Sequence, residues 1–447
     1  MPEETFLDRP IDRRSFIKGG MAFVSAATAM PPAFLRATFD DNSIPIADVT
    51  KETAAAIGRS VLVVLQMAGG NDGLNTVIPL NDRGYFAARP GLAQNPKSTL
   101  PLENGMAFNG VMTGMKGLWD QRRMAVILGV GYPNPNRSHF RAMDIWHTAD
   151  TSEVAQDRQA RSTTNVTGNG WIGRLMDATT HETHSAWRVA NIGSELPRSL
   201  FTDSVFVPSL SSIPAYVLST DRRFSKDSDR RLQTFAQLNA RYAQDAAVQA
   251  EYGGSLAFVS QTGFEAYQST VMLQTEAKTY TSKVPYPTTP LAQAFKTAAT
   301  LIMSRLGTGV VYITTGGFDT HSGQGAAQSR LLQTVSDAVS AFYADLAAQE
   351  AADDVSTVMW TEFGRRIKEN GSGGTDHGTS TPMFVIGGGV KAGLYGSQPL
   401  TTSTDSNGDL KYATDFRSVY ASIIEQRFGV SSKDVLGQSY ATLPLFA

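Results

Sequence analysis

Five short apolar runs govern what this chain can fold into. Residues 60–67 (SVLVVLQM), 124–130 (MAVILGV), 309–313 (GVVYI), 355–360 (VSTVMW) and 382–386 (PMFVI) are almost continuously apolar. A strand with one face in water alternates polar and apolar residues, so an unbroken run of this length reads as a strand buried on both faces. Each run ends in a glycine-, aspartate- or histidine-bearing loop: AGGNDGLNT, GYPNPNRSHF, TTGGFDTH, TEFGR and GGG. Between the runs, apolar residues recur at helical spacing. Leu291, Phe295, Ala298, Ile302 and Leu306 mark 290–306, and Leu331, Val335, Val339, Phe342 and Leu346 mark 325–349, while FRSVYASIIEQRF at 416–428 reads as a closing helix. Alternating buried strands and helices predict an α/β fold with a mostly parallel central sheet flanked by helices. In such sheets ligands bind beyond the carboxyl ends of the strands.

The rest of the chain is organised around that core. Residues 1–35 read as an export signal. Arg13 and Arg14 in DRRSFIK precede the weakly apolar stretch GGMAFVSAATAM, and Ala27-Thr28-Ala29 offers a small-residue cleavage site. Paired arginines before a weak apolar segment resemble a twin-arginine signal, which predicts a periplasmic or secreted protein. A basic start to an ordinary helix is the alternative. The mature domain then spans 36–447. Within it, about 200–285 reads as a helical insertion or cap, most clearly over 226–282, which is rich in alanine, glutamine and charge. Segments 151–169 and 369–381 are polar loops. No repeat and no further run long enough to span a membrane is present.

Composition narrows the chemistry. The 447 residues hold 39 Lys and Arg against 41 Asp and Glu, so no electrostatic case exists for a nucleic-acid partner. There is no cysteine, which excludes disulfides, thiolate ligands and cysteine nucleophiles. Any metal must be held by oxygen and imidazole nitrogen. The GGG at 387–389 lacks both a P-loop lysine and the GxGxxG spacing of nucleotide sites.

The polar residues fall at the strand ends. Asp72 follows the first run, Ser138 and His139 the second, Asp319 and His321 the third, and Glu362 the fourth; Asp376 and His377 precede the fifth. In a parallel sheet these loops meet at one edge, where carboxylates and imidazoles can hold one or two divalent cations. Each residue alone has a plainer reading. Asp72 suits a turn before Gly73, Asp319 a helix cap, Glu362 an ion pair with Arg365 or Arg366, and His377 a solvated loop. The set weighs more than its members, because four of the six histidines lie in or beside these motifs. The other two, His181 and His184 in HETH, do not match HExxH.

The strings VLVVLQMAGGNDGLNTVIPL, VGYPNPNRSHFRAMDIWHTAD, TTGGFDTHSGQ, WTEFGRRIKENGSGGTDHGT and PMFVIGGGVKAGLYG resemble a bacterial family known as domain of unknown function 1501. The resemblance runs from about residue 60 to the end. That family is distantly similar to the alkaline phosphatase and sulfatase superfamily. The resemblance implies Asp72, Asp319, His321, Glu362 and His377 as metal ligands, with Asp376 the competing choice. It implies Ser138 as nucleophile at a helix start, Arg137 and His139 as catalytic helpers, and Asn71, Asn75 and Arg365 against the substrate. Phe363 stands where the superfamily has a histidine, which disfavours a tight two-zinc site. The implied cofactor is a divalent metal, Zn, Mg, Ca or Mn, as one or two ions, with the harder ions suiting an oxygen-rich set.

Two functions follow. The first is an exported metal-dependent hydrolase of a phosphate or sulfate ester, on a small molecule or glycan. The second is a non-catalytic binding or assembly protein that keeps the fold. The resemblance also implies a partner from an uncharacterised family numbered 1800.

Overall fold

The computed structural model describes residues 60–152, 168–179, 185–202, 205–219, 226–244, 246–304 and 306–447. The paired arginines, the Ala27-Thr28-Ala29 site, most of the 151–169 loop, His181 and His184 lie outside them. Among the described residues, nine strands form the main sheet: β1 (Val61–Met67), β2 (Met124–Gly131), β3 (Val189–Ile192), β4 (Ser209–Leu210), β5 (Val310–Thr315), β6 (Val355–Trp360), β7 (Thr381–Gly387), β8 (Gly393–Gly396) and β9 (Thr414–Asp415). Their order is β8-β2-β7-β6-β1-β5-β3-β4, with β9 also paired to β2. The five apolar runs give the five central strands β2, β7, β6, β1 and β5. The four short additions lack such runs.

Every pairing is parallel except the two made by β7, which is antiparallel to β2 and to β6. The sheet is therefore mostly parallel with one reversed strand. The reversal decides where the site lies. A residue that precedes β7 comes to the same sheet edge as residues that follow β1, β2, β5 and β6. The register shift in β7 falls between Thr381 and Met383, around Pro382. Proline has no N–H for the ladder, so a bulge is where a central strand tolerates it.

The helices used below are α1 (Thr113–Asp120), α2 (His139–Thr148), α3 (Trp171–Thr179), α4 (Ser228–Gln244), α5 (Ala246–Glu276), α6 (Pro290–Met303), α7 (Gln324–Ala348) and α8 (Phe416–Phe428). Sequence explains their limits. Thr289 caps α6 through the Ala292 N–H with Pro290 in the first turn, and Asp415 caps α8, which ends at left-handed Gly429.

Side chains alternate across the sheet. Leu62, Val64, Ala125, Ile127, Val310, Tyr312, Val358, Trp360, Met383 and Val385 share one core with α2, α3 and α8. Trp146 stacks on Trp360 at 5.2 Å and on Phe416 at 4.4 Å, and Trp171 on Tyr420 at 4.3 Å. Fully burying such a side chain stabilises by about 1.5–3 kcal/mol. On the other side α7 packs between α6 and α1. There Tyr343 of α7 is buried; its hydroxyl donates to the Ile386 carbonyl (2.8 Å) and can accept from the Thr357 hydroxyl (2.9 Å).

Chain contacts separate Pro214–Thr275 from the unit that carries Glu52–Ile213 and Glu276–Ala447. The former holds α4 and almost all of α5, and its residues Phe235, Ala236 and Leu273 are buried. Among the described residues no helix is long and apolar enough to cross a membrane.

Candidate metal centre

Four loops meet at the carboxyl edge of the sheet, and Arg365 ties three of them together. Its guanidinium is buried. It donates to the carbonyls of Gly69 (2.5 Å), Gly70 (2.6 Å), Phe318 (2.9 Å) and Thr375 (2.8 Å), and to Asp319 Oδ1 (2.7 Å). Glycine permits this crowding. A Cβ on Gly69, which has φ +119°, would lie 2.5 Å from the Asp319 amide nitrogen. A Cβ on Gly378 would lie 2.5 Å from the Arg365 carbonyl carbon.

Three histidines reach the same point from different loops. His139 opens α2 after β2, His321 follows β5, and His377 precedes reversed β7. Each has its Nδ1 engaged by an acceptor. His139 Nδ1 donates to Glu362 Oε1 (2.8 Å), His377 Nδ1 to the Arg137 carbonyl (2.8 Å), and His321 Nδ1 to Asp376 Oδ1 (3.2 Å). A carbonyl or carboxylate has no hydrogen to give, so in each ring Nδ1 carries one. In the neutral rings the lone pairs are then on Nε2, and all three Nε2 atoms face Asp319. His377 Nε2 and His321 Nε2 lie 3.0 Å from Asp319 Oδ1 and 2.9 Å from each other. His139 Nε2, which has no hydrogen-bond partner, lies 3.4 Å from Asp319 Oδ2.

Lone pairs this close to one another and to a carboxylate repel unless positive charge lies among them, as a proton or a cation. The spacing fits a cation. Cis ligands of an octahedral ion lie about 2.9 Å apart and ligands of a tetrahedral one about 3.3 Å apart, for bonds of about 2.0–2.1 Å. His139, Asp319 and His377 have potential ligand atoms that all lie within 4.8 Å of one another, and His321 is not in that set. His321 extends it through its contacts with Asp319 and His377.

The electrostatics agree. Burial works to raise the Asp319 carboxyl, but the Arg365 hydrogen bond, donation from His377 when its Nε2 is also protonated, and the Arg365 charge outweigh it and hold it down to about 2 when no cation is bound. The Glu362 hydrogen bond pushes the His139 imidazole above its usual range, against the opposing effect of burial. Asp376 is lowered by the Asn370 hydrogen bond and then by His321.

Other residues expected at the site are placed differently. Asp72 is buried, and its Oδ2 is bound by Arg89 (2.5 Å) and Gln324. It belongs to an interior polar network rather than the histidine cluster. Asn71 and Asn75 are in the same network and are closed to a substrate. Asn71 pairs with Thr76, and Asn75 with Leu92 O, the Tyr85 hydroxyl and Arg89. Glu362 binds the Gly69 N–H (2.8 Å), the Thr361 hydroxyl (3.2 Å) and His139, not Arg365 or Arg366. The imidazole it meets is that of His139, and Asp376 meets that of His321. Arg365 is sealed beneath the loops, out of a substrate's reach. Arg89, Gln324 and Gln328 carry no motif, and the sequence offered no signal for their part in the network.

Ser138 is exposed at the N-terminus of α2, between Arg137 and His139. Its side chain makes no capping bond and no hydrogen bond to the three imidazoles. The Arg137 guanidinium binds Asp409 and lies 3.8 Å from Asp405. Both aspartates are on the 404–412 loop, part of which walls a cleft of about 530 Å3 with Tyr132, Phe363 and Tyr412. The Phe363 ring, which lines that cleft, also lies against the histidines, 4.9 Å from His139 and 4.6 Å from His377.

No curated protein matches the chain in sequence. Solved structures similar to it include the PsFucS1 sulfatase from Pseudoalteromonas sp., at 13% identity and a TM-score of 0.36, covering 87% of this chain and 70% of that one. The lipoteichoic acid synthase LtaP from Listeria monocytogenes is 8% identical with a TM-score of 0.34, over 83% of this chain and 73% of the other. A protein in the alkaline phosphatase superfamily from Vibrio parahaemolyticus is 10% identical with a TM-score of 0.32, over 85% and 71%. No residue role follows from likenesses at this level. Residues 125–433, more than half of the chain and the stretch that carries all three histidines, match the family described as "Protein of unknown function (DUF1501)", and the chain belongs to that family.

Proposed function

We propose that the protein is an exported metal-dependent hydrolase of a phosphate or sulfate ester. One observation carries the reading: three imidazoles have Nδ1 engaged, and their Nε2 atoms converge on one carboxylate. His139, His321, His377 and Asp319 would hold a divalent cation. Bound there, the cation would supply Lewis-acid activation of a nucleophile and charge stabilisation at the ester.

The chain's own residues supply the rest. Ser138 presents an exposed hydroxyl at the start of a ten-residue helix, where unpaired N–H groups favour negative charge. That position suits a nucleophile. Arg137 is a candidate anion clamp once it exchanges Asp409 for substrate, and the cleft beside Phe363 suits the leaving group of a small-molecule or glycan ester. Export rests on the Arg13-Arg14 signal, which lies outside the described residues. Fractionation of cells that produce an Arg13→Lys, Arg14→Lys variant tests it, and unchanged export would end that part of the reading.

Turnover of aryl phosphate and aryl sulfate by metal-loaded protein tests the hydrolase. Activity is expected to vanish with chelator and to fall by about 10³-fold or more in Ser138→Ala. Full activity in that variant removes Ser138 from the role. A second reading, a non-catalytic binding or assembly protein with a partner of the family numbered 1800, draws on the absence of any hydrogen bond between Ser138 and the imidazoles. Bound metal without turnover of either ester would favour it.

A further inference from the structure

Resting on the metal reading above, we infer that the centre takes one borderline transition-metal ion of the zinc class, and neither a second ion nor a hard cation. The carboxylates that would make the site oxygen-rich or binuclear each have another partner. Asp72 Oδ2 is bound by buried Arg89 and by Gln324, and Asp72, whose Oδ1 is buried without a hydrogen-bond partner, is not in the group formed by His139, Asp319 and His377. Glu362, fully buried, accepts from the Gly69 amide, the Thr361 hydroxyl and His139 Nδ1. Asp376 accepts from His321 Nδ1 and from the Asn370 side chain (3.1 Å). Arg365 takes one lone pair of Asp319 Oδ1.

What remains is three imidazole nitrogens and one carboxylate. Imidazole suits Zn, Co, Fe and Ni, whereas Mg and Ca are held by oxygen. Space for a neighbouring ion is also taken. The Phe363 ring lies against both His139 and His377, and a Cβ on Gly70 would come 2.2 Å from its Cε2. An apolar ring with no donor atom fills the flank where a further ligand would stand. Glu362, Asp376 and the Arg137 carbonyl are thus positioning groups. They fix which nitrogen of each histidine points inward, as outer-sphere partners do in histidine metal sites.

The test is titration of full-length, chelator-stripped protein with Co2+, read by its visible d–d absorption and by bound-metal analysis. One equivalent is expected, displaced by Zn2+ and not by millimolar Ca2+ or Mg2+. Asp376→Asn and Glu362→Gln keep an acceptor in place. They are expected to retain one Co2+ with unchanged band positions at about 10–100-fold weaker affinity. His321→Ala, which removes a ligand, is expected to shift the bands. Two equivalents, displacement by Ca2+, or altered bands in Asp376→Asn or Glu362→Gln would overturn the inference while leaving a metal site in place. Failure to bind any of the four ions would overturn the metal reading itself.

Discussion

Replacing Arg365 with methionine tests how the site is held. Methionine keeps most of the buried volume and removes the guanidinium. Five hydrogen bonds then lose their donor: those to Gly69 O, Gly70 O, Phe318 O, Thr375 O and Asp319 Oδ1. A hydrogen bond to a charged group contributes about 1.5–3 kcal/mol, but bonds from one group do not add, and Asp319 can turn to water. Each buried carbonyl left without a donor costs about 1–3 kcal/mol before relaxation, so a total loss of about 3–5 kcal/mol is expected. All five tryptophans lie in the unit that carries the sheet, so tryptophan fluorescence reports its unfolding. In urea, a midpoint drop of about 1–2 M is expected for an m value near 3 kcal/mol/M. Arg365→Lys should fall between, since an ammonium cannot reproduce the planar fork. A methionine variant within about 0.3 M of the parent midpoint, for the same m value, would refute the claim that this guanidinium pins the three loops.

Other perturbations separate ligands from supports. Asp72→Ala leaves the Arg89 charge buried and unpaired, so it should cost about 3–5 kcal/mol in urea unfolding while bound metal stays at the parent level. Gly69→Ala places a Cβ against the Asp319 backbone and should weaken metal affinity more than tenfold, read by competition with a chromophoric chelator. In chelator-treated protein, His139 has a raised folded pKa. Its contribution to stability is complete below the unfolded value of about 6.5 and is lost as pH rises through the folded value. Thermal midpoints measured from pH 6 to 9 should show that decline, and Glu362→Gln should flatten it. Asp319 has the opposite sign. Its depressed pKa, about 2, gives stability that is complete above the unfolded value of about 3.9 and is lost as pH falls toward 2. Asp319→Asn should reduce the loss seen on acid titration.

The sequence by itself determined the central strands and the helices on the sheet. Burial on both faces leaves an unbroken apolar run, and packing on one face leaves a 3.6-residue period; both are local patterns. The same locality located the loops that carry His139, Asp319, His321 and His377, because each directly adjoins an apolar run or a helix start. Tertiary structure decided which groups meet. Whether a carboxylate binds a metal, orients an imidazole or neutralises an arginine depends on what lies across from it, and those partners come from distant parts of the chain. Asp72 meets Arg89 and Gln324, Glu362 meets His139, and Arg365 reaches the carbonyls of three loops. The direction of β7 is equally non-local. It is set by pairing with β2 and β6, and it alone brings His377 to the edge where the other two histidines stand.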